Sequence, residues 1–305
     1  MFEILFLGTS ASAPSVKRGL PAQMVRHNEH RFLIDCGEGT QRQILKSGIG
    51  FKNLNKIFIT HSHLDHILGL AGLLSTLSRW EATEEIEVFA HKKAMDRIHD
   101  LIYGVVLRGA KPPIPIRLRE IKPGVVFKTR DLTLSAFPVK HRGPDSLGFL
   151  FEEESKRPFL ANKAEKLNIP PGPWRSDLVK GEMVTLPDGR VIDPESVLGE
   201  IRQGARLVHI GDVGNTKELI EKCQQADALV IEATYLESES ELARRFMHIT
   251  AKNAAELALK AEVKQLILTH ISRRYPEKEI YQEAANIFPN VHIARDFDTI
   301  KVKHS

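Results

Sequence analysis

Cysteine is nearly absent: Cys36 and Cys223 are the only two in 305 residues, and they form no CxxC pair. That excludes a cysteine zinc knuckle, a dithiol redox motif and a disulfide framework, and it suits a reducing, cytoplasmic compartment. Long hydrophobic runs are missing too. The longest, ILGLAGLLSTL at 67–77, falls well short of the roughly 20 residues that span a bilayer, and it contains Ser75 and Thr76, so no membrane span is expected. The opening MFEILFLGTS has no basic stretch ahead of its apolar residues and reads as a first strand, not as a secretion signal. Nor is the charge lopsided. The 43 Lys and Arg face 39 Asp and Glu, a net charge of +4, which excludes a polycationic arm and permits an acidic partner without requiring one. With 42% apolar and 27% charged residues, what remains is a folded globular chain of one large domain or two small ones.

Short apolar runs rich in β-branched and aromatic residues recur at 2–7, 31–35, 56–60, 85–90, 132–138, 147–152, 206–210, 228–232 and 265–270. They predict strands. Amphipathic segments lie between many of them. In 250–261, Ala254, Leu257, Ala258 and Ala261 fall at helical spacing and Thr250 stands where it can cap the start. Strand clusters flanked by helices make a layered α/β scaffold. Residues 151–200 break the rhythm, with 6 of the 16 prolines and ten acidic against seven basic side chains. This stretch reads either as a long surface loop or as a projecting arm that touches a large substrate.

The chemistry concentrates in NKIFITHSHLDHILGL. A strand predicted to end at Thr60 is followed within six positions by His61, His63, Asp65 and His66, and strand ends of α/β sheets are where ligands bind. Alternation along an extended chain puts His61 and His63 on the same side, while Asp65 and His66 sit where a helix beginning near Ile67 should start. Imidazoles and a carboxylate suit zinc or neighbours such as manganese and iron, and the lack of cysteine ligands argues against a purely structural site. Three of the chain's 13 histidines in six residues are hard to place otherwise. Further donors stand at other predicted strand ends: His141, Asp212 and His270. Each has an ordinary alternative, respectively a solvated loop residue, a helix cap ahead of Thr216 and a polar strand end. Asp35 is either an acceptor that orients a ligand histidine or a turn aspartate.

In these motifs the chain resembles the metallo-β-lactamase superfamily and, within it, the tRNase Z family of tRNA 3′-end endonucleases. HxHxDH matches His61, His63, Asp65 and His66, and is specific to the fold but not to the reaction. FLGTSASAP at 6–14, LIDCGEGTQRQ at 33–43, PPGP at 170–173, IGDV at 210–213, HIT at 248–250 and HISRRY at 270–275 narrow the likeness and span nearly the whole chain. The resemblance implies a single domain over 1–305 with an αββα sandwich of two sheets flanked by helices, and a tRNA-gripping arm inserted at 151–200. It implies one zinc on His61, His63 and His141, a second on Asp65, His66 and His270, and Asp212 bridging them. Asp65 would orient or deprotonate the attacking water, and His248 would be the general acid. The implied reaction is hydrolysis of precursor tRNA after the discriminator nucleotide, leaving a 3′-hydroxyl on the tRNA and a 5′-phosphate on the trailer, by a homodimer in which one subunit's arm serves the other's active site. Arg18, Arg273 and Arg274 are candidates for backbone phosphates. The chain departs from the family in PSVKRG at 14–19, where the pattern is PxKxRN, in Val213 for Thr and in Arg273 for Ser. The altered loop bears on how a 3′-terminal CCA is treated. Another hydrolase on the same scaffold, a metal-holding binding protein without turnover, and a broader RNA nuclease of the β-CASP type, whose second domain has no room here, are the competing readings.

Overall fold

The computed structural model describes residues 1–80 and 83–304. The chain divides into two compact units, Met1–Glu152 with Ala205–Ser305, and Glu153–Gly204. Strands β1 (Phe2–Gly8), β2 (Ala22–His27), β3 (His30–Ile34), β4 (Lys56–Phe58), β5 (Ile86–His91) and β6 (Ile116–Ile121) begin one sheet, and β7 (Gly124–Lys128), β8 (Leu132–Pro138) and β9 (Leu147–Glu153) begin another. Strands β10 (Val184–Thr185) and β11 (Val191–Ile192) pair with each other in a separate two-stranded sheet. Then β12 (Arg206–Ile210), β13 (Ala228–Glu232), β14 (Leu266–Thr269) and β15 (Val291–Ile293) complete the second sheet, and β16 (Thr299–Val302) returns to the first. The sheet orders are β16-β1-β2-β3-β4-β5-β6 and β15-β14-β13-β12-β9-β8-β7. The helices are α1 (Thr40–Ser47), α2 (Leu64–Ile67), α3 (Gly69–Trp80), α4 (Lys92–His99), α5 (Ala161–Lys166), α6 (Trp174–Val179), α7 (Ile220–Cys223), α8 (Ser240–Phe246), α9 (Ala251–Lys260) and α10 (Glu277–Ala285).

Strands β3 to β6 run parallel, as do β12 to β15. Parallel neighbours need crossovers, and the helices supply them. Phe6, Phe32, Phe58, Phe149, Phe151 and Val230 pack between the two sheets. Ile44, Leu70, Leu73 and Ile98 of α1, α3 and α4 cover the outer face of the first sheet, and Ala254, Leu257, Ala258 and Ile280 of α9 and α10 cover that of the second. This layering is an αββα sandwich, and it sets the carboxyl ends of β4, β12, β13 and β14 as places for side chains with chemistry.

Two local boundaries differ from the sequence-based expectation. Strand β4 stops at Phe58, and the helix expected from near Ile67 starts at Leu64 with an extended His63 before it. Asp65 and His66 therefore lie inside the first helical turn. After Leu68 the chain restarts as α3, and Gly69 is required there: an added Cβ would fall 2.0 Å from the Gly37 carbonyl oxygen. The Gly69 amide donates to the Cys36 carbonyl at 2.9 Å and the Cys36 amide to the His66 carbonyl at 2.8 Å, so the LIDCG segment and the histidine cluster are stitched together. Helix α9 opens on a reciprocal cap between Thr250 and Asn253.

The unit Glu153–Gly204 has its own small core of Ala164, Ile169, Leu178, Val184, Leu186, Ile192 and Val197, with Phe159 and Trp174 against it. Bridges Lys156 to Arg202 and Phe159 to Leu198 close its base. In PPGP, Gly172 leaves room for the Trp174 ring, whose Nε1 donates to the Pro170 carbonyl at 2.8 Å. The Arg157 and Arg175 guanidinium groups bond within this unit, to Glu195 and to the Ile169 and Pro170 carbonyls.

Candidate metal centre

Four of the histidines, His61, His66, His141 and His270, are oriented through their outer ring nitrogen. Asp35, in a left-handed conformation after β3 (φ 57°), accepts from the Thr60 amide at 2.7 Å, and its other oxygen lies 2.7 Å from His66 Nδ1. A carboxylate can only accept here, so His66 Nδ1 carries a proton, and in the neutral ring Nε2 is left as a lone-pair donor. The Met247 carbonyl fixes His141 in the same way, at 2.6 Å from Nδ1. Thr60 Oγ1 lies 3.1 Å from His61 Nδ1, and Thr234 Oγ1 lies 2.9 Å from His270 Nδ1. His270 takes a left-handed backbone (φ 54°) directly after β14, a strained state that surrounding structure must hold.

The inner atoms form two adjoining sets. In the first, His61 Nε2 lies 2.9 Å from His63 Nδ1 and 3.6 Å from Asp212 Oδ2, while His141 Nε2 lies 3.4 Å from His63 Nδ1 and 3.8 Å from Asp212 Oδ2. In the second, Asp212 Oδ1 lies 3.4 Å from His66 Nε2 and 3.2 Å from His270 Nε2, and Asp65 Oδ2 lies 3.8 and 3.6 Å from the same nitrogens. Ligands about 2.0–2.1 Å from a tetrahedral zinc are separated by roughly 3.3 Å, which falls within the range of both sets. Moreover, His66 Nε2, His270 Nε2 and Asp212 Oδ1 are buried and find no hydrogen-bond partner among the described residues. Lone pairs aimed at a common point, and not at each other's protons, fit a pair of divalent cations sharing Asp212.

The electrostatics agree. Burial, reinforced by His66, pushes the His61 pKa well below its ordinary value, and burial lowers those of His63 and His141 as well, so these rings are neutral, as metal ligation requires. Burial works against the Asp212 carboxylate, yet His270, His66 and His61 hold its pKa well below the usual range; Asp65, likewise opposed by burial, is lowered by His270 and His66. His66 differs: burial opposes its charge, but Asp212 and Asp35 raise its pKa well above the ordinary histidine value, so the two carboxylates favour a positive charge at this ring, one that a metal on Nε2 would supply in place of a proton. Two ionised carboxylates kept this deep call for nearby positive charge.

His248 stands beside both sets, its ring stacked on His270 at 5.5 Å and 5.0 Å from that of His141. Its Nδ1 lies 2.9 Å from Glu232, which closes β13 fully buried. Burial disfavours the imidazolium, but Glu232 and then Asp212 push the His248 pKa up to about 9. Sequence reasoning missed Glu232. Besides His248 it accepts from the Val213 amide at 2.7 Å and Thr234 Oγ1 at 2.5 Å, and the only sequence signal is a carboxylate ending the apolar run ALVIE. Of the proposed phosphate-contacting arginines, Arg274 is committed to Glu239 and Arg18 to Glu277 and Thr9, whereas Arg273 is exposed.

Residues 2–161 match a family model described as Anti-Pycsar protein Apyc1, and residues 184–271 one described as a beta-lactamase superfamily domain. Along its full length the chain is 45% identical over 302 residues to a ribonuclease Z of Bradyrhizobium diazoefficiens, covering 99% of this chain and 100% of that one. It is 42% identical over 306 residues to a ribonuclease Z of Archaeoglobus fulgidus, with coverage of 99% and 98%. Among solved structures, the short form of human tRNase Z superposes with a TM-score of 0.68 at 27% identity, covering 99% of this chain and 100% of that one. Similarity of this extent, on a sandwich with these strand ends, means that the chain belongs to the ribonuclease Z family, hydrolases of the metallo-β-lactamase fold.

Proposed function

We propose that this chain is a zinc-dependent endoribonuclease that removes the 3′ trailer of precursor tRNA after the discriminator nucleotide, giving a tRNA 3′-hydroxyl and a trailer 5′-phosphate. The observation that carries the reading is the pair of donor sets meeting on Asp212, in a chain 45% identical over its length to a ribonuclease Z. His61, His63 and His141 would hold one ion, Asp65, His66 and His270 the other, with Asp212 common to both. A phosphodiester resists attack because it is anionic and its leaving alkoxide is poor; bound zinc supplies water with a pKa near 7 in place of 15.7 and neutralises developing charge. The protein's own groups do the rest. Asp65, ionised and fixed at the inner edge of α2, would orient or deprotonate the attacking water, and the lowering of its pKa by His270 and His66 favours the orienting role. His248, protonated at neutral pH and anchored through Nδ1, presents Nε2 to the departing 3′ oxygen and supplies its proton. We take the unit Glu153–Gly204 to be the arm that grips tRNA, and the working enzyme to be a cytoplasmic homodimer.

Incubation with precursor tRNAs with and without an encoded CCA, mapping the cut on a gel, tests the reading. Cleavage after the discriminator, abolished in Asp65→Ala, is expected, and an intact precursor in the presence of added zinc would contradict it. A hydrolase of small phosphodiesters is the second reading, since the donor sets that meet on Asp212 do not choose among phosphodiesters. It predicts turnover of a small aryl phosphodiester with no cut in the tRNA.

A further inference from the structure

Arg18 reads in the sequence as a cation for RNA backbone, but its surroundings give it other work. Its side chain is only 13% exposed and three groups share it: Nη2 donates to Glu277 Oε2 at 2.9 Å, and Nη1 to Thr9 Oγ1 at 2.6 Å and to the Ala294 carbonyl at 2.5 Å. Glu277 is in turn held by Arg295, with Nη2 to Oε1 at 2.7 Å. Beside this, Asp296 gathers the Gly19 amide and Gln43 Nε2 on one oxygen and Thr9 Oγ1 on the other, each at 2.7 Å. The residues gripped, Thr9, Arg18 and Gly19, are the two ends of one loop, residues 9–19, whose arms also meet through the Ser10 amide and the Gly19 carbonyl at 2.8 Å. At the loop's tip Ser12 adopts a left-handed conformation (φ 57°) and points its amide at Asp65 Oδ2, 3.1 Å away. That oxygen is the one facing His66 Nε2 and His270 Nε2.

We infer that Arg18 and Asp296 are positioning residues for Asp65: they clamp the ends of the loop so that the Ser12 amide holds the carboxylate in the donor set. This rests on the reading of Asp65 given above. A peptide N–H is a rigid donor only while its loop is rigid: Ile271 holds the outgoing arm, through the Thr9 carbonyl and the Ala11 amide, and Arg18 and Asp296 hold the returning arm at residues 18 and 19. Misplacing a reacting carboxylate by even 1 Å costs rate on every substrate, whereas losing a phosphate contact raises KM for RNA alone.

The two roles separate in one comparison. Arg18→Ala is expected to lower kcat about tenfold or more on both a precursor tRNA and a small aryl phosphodiester, with KM for the tRNA changed by less than about twofold. It should also speed loss of zinc to a chelator by about tenfold, since outer partners of metal ligands tune affinity on that scale. Asp296→Asn keeps the side chain's size and is expected to act in the same direction, which preserves the test if Arg18→Ala does not fold. An ester kcat and a zinc-loss rate equal to the parent's in a folded variant, with only the tRNA KM raised, would overturn the inference and make Arg18 an RNA contact. Parent protein that turns over the ester but leaves tRNA intact would sink the substrate reading above while the ester and zinc measurements still decide the role of Arg18.

Discussion

At the scale of the residue, what a local pattern carries and what it does not can be seen in Asp35, Glu232 and His209. The HxHxDH cluster is legible because its donors are neighbours in sequence. Asp35 left two meanings open, and the 2.7 Å contact to His66 Nδ1 decides between them. Glu232 lay beyond reach because its partners Val213, Thr234 and His248 come together only through the packing of loops that follow different strands. His209 was equally silent. It lies on the inner face of β12, buried between the sheets, with Nε2 3.1 Å from Gln23 Oε1 of the first sheet. Burial pulls its pKa down from 6.5 to about 4. A histidine buried neutral in the folded state but free to charge when unfolded adds stability that is fully present above pH 6.5 and lost as pH falls toward 4, about 3 kcal/mol in all. Urea unfolding at several pH values is therefore expected to show the parent losing about that much more than His209→Gln between pH 7 and 4, the contributions of all other groups cancelling in the difference. Parallel pH profiles would show that His209 does not titrate in this way.

At the scale of the element, the strands at 132–138, 206–210 and 228–232 coincide with β8, β12 and β13 because each is a short β-rich run ended by polar or turn residues. Three of the four edge strands, β7, β15 and β16, carry weaker patterns, being exposed or short, and their pairing is set by the sheet they join. The early start of α2 reflects contacts outside the segment: Cys36 and Gly37 receive the backbone of His66 and Gly69. Gly69→Ala should consequently lower stability by about 1–3 kcal/mol or more, because the new methyl meets backbone that cannot swing aside. Thermal denaturation of the two proteins measures it, and an unchanged midpoint would mean that the α2–α3 junction is looser than these distances indicate. The unit Glu153–Gly204 offers a cleaner excision. It has its own core, and its first and last residues are so close that a Cβ on Gly204 would fall 2.0 Å from the Glu153 carbonyl oxygen. Replacing 154–203 by a short Gly-Ser linker is expected to cripple cleavage of precursor tRNA while a small aryl phosphodiester is turned over at about the parent rate. Equal losses on both substrates would refute the assignment of this unit to RNA.

At the scale of the whole molecule, donors spread from position 61 to position 270 are assembled by a sandwich of two seven-stranded sheets, and each sheet contributes: His61 and His63 follow β4 of one, while Asp212 and His270 follow β12 and β14 of the other. Neither sheet holds a complete set alone, so folding of the sandwich and assembly of the centre are one event, and a metal bound there would add to stability through linkage. The order of the donors along the chain was readable, since each ends an apolar run, but the sharing of Asp212 through its two oxygens emerges only in three dimensions. The most direct test is metal analysis of the purified protein alongside its cleavage of precursor tRNA. Two zinc equivalents per chain are predicted, with cleavage lost on chelation, restored by zinc, and absent from a His63→Ala protein that retains fewer than two. A chelated, metal-free chain that still cuts precursor tRNA at the parent rate would contradict the account.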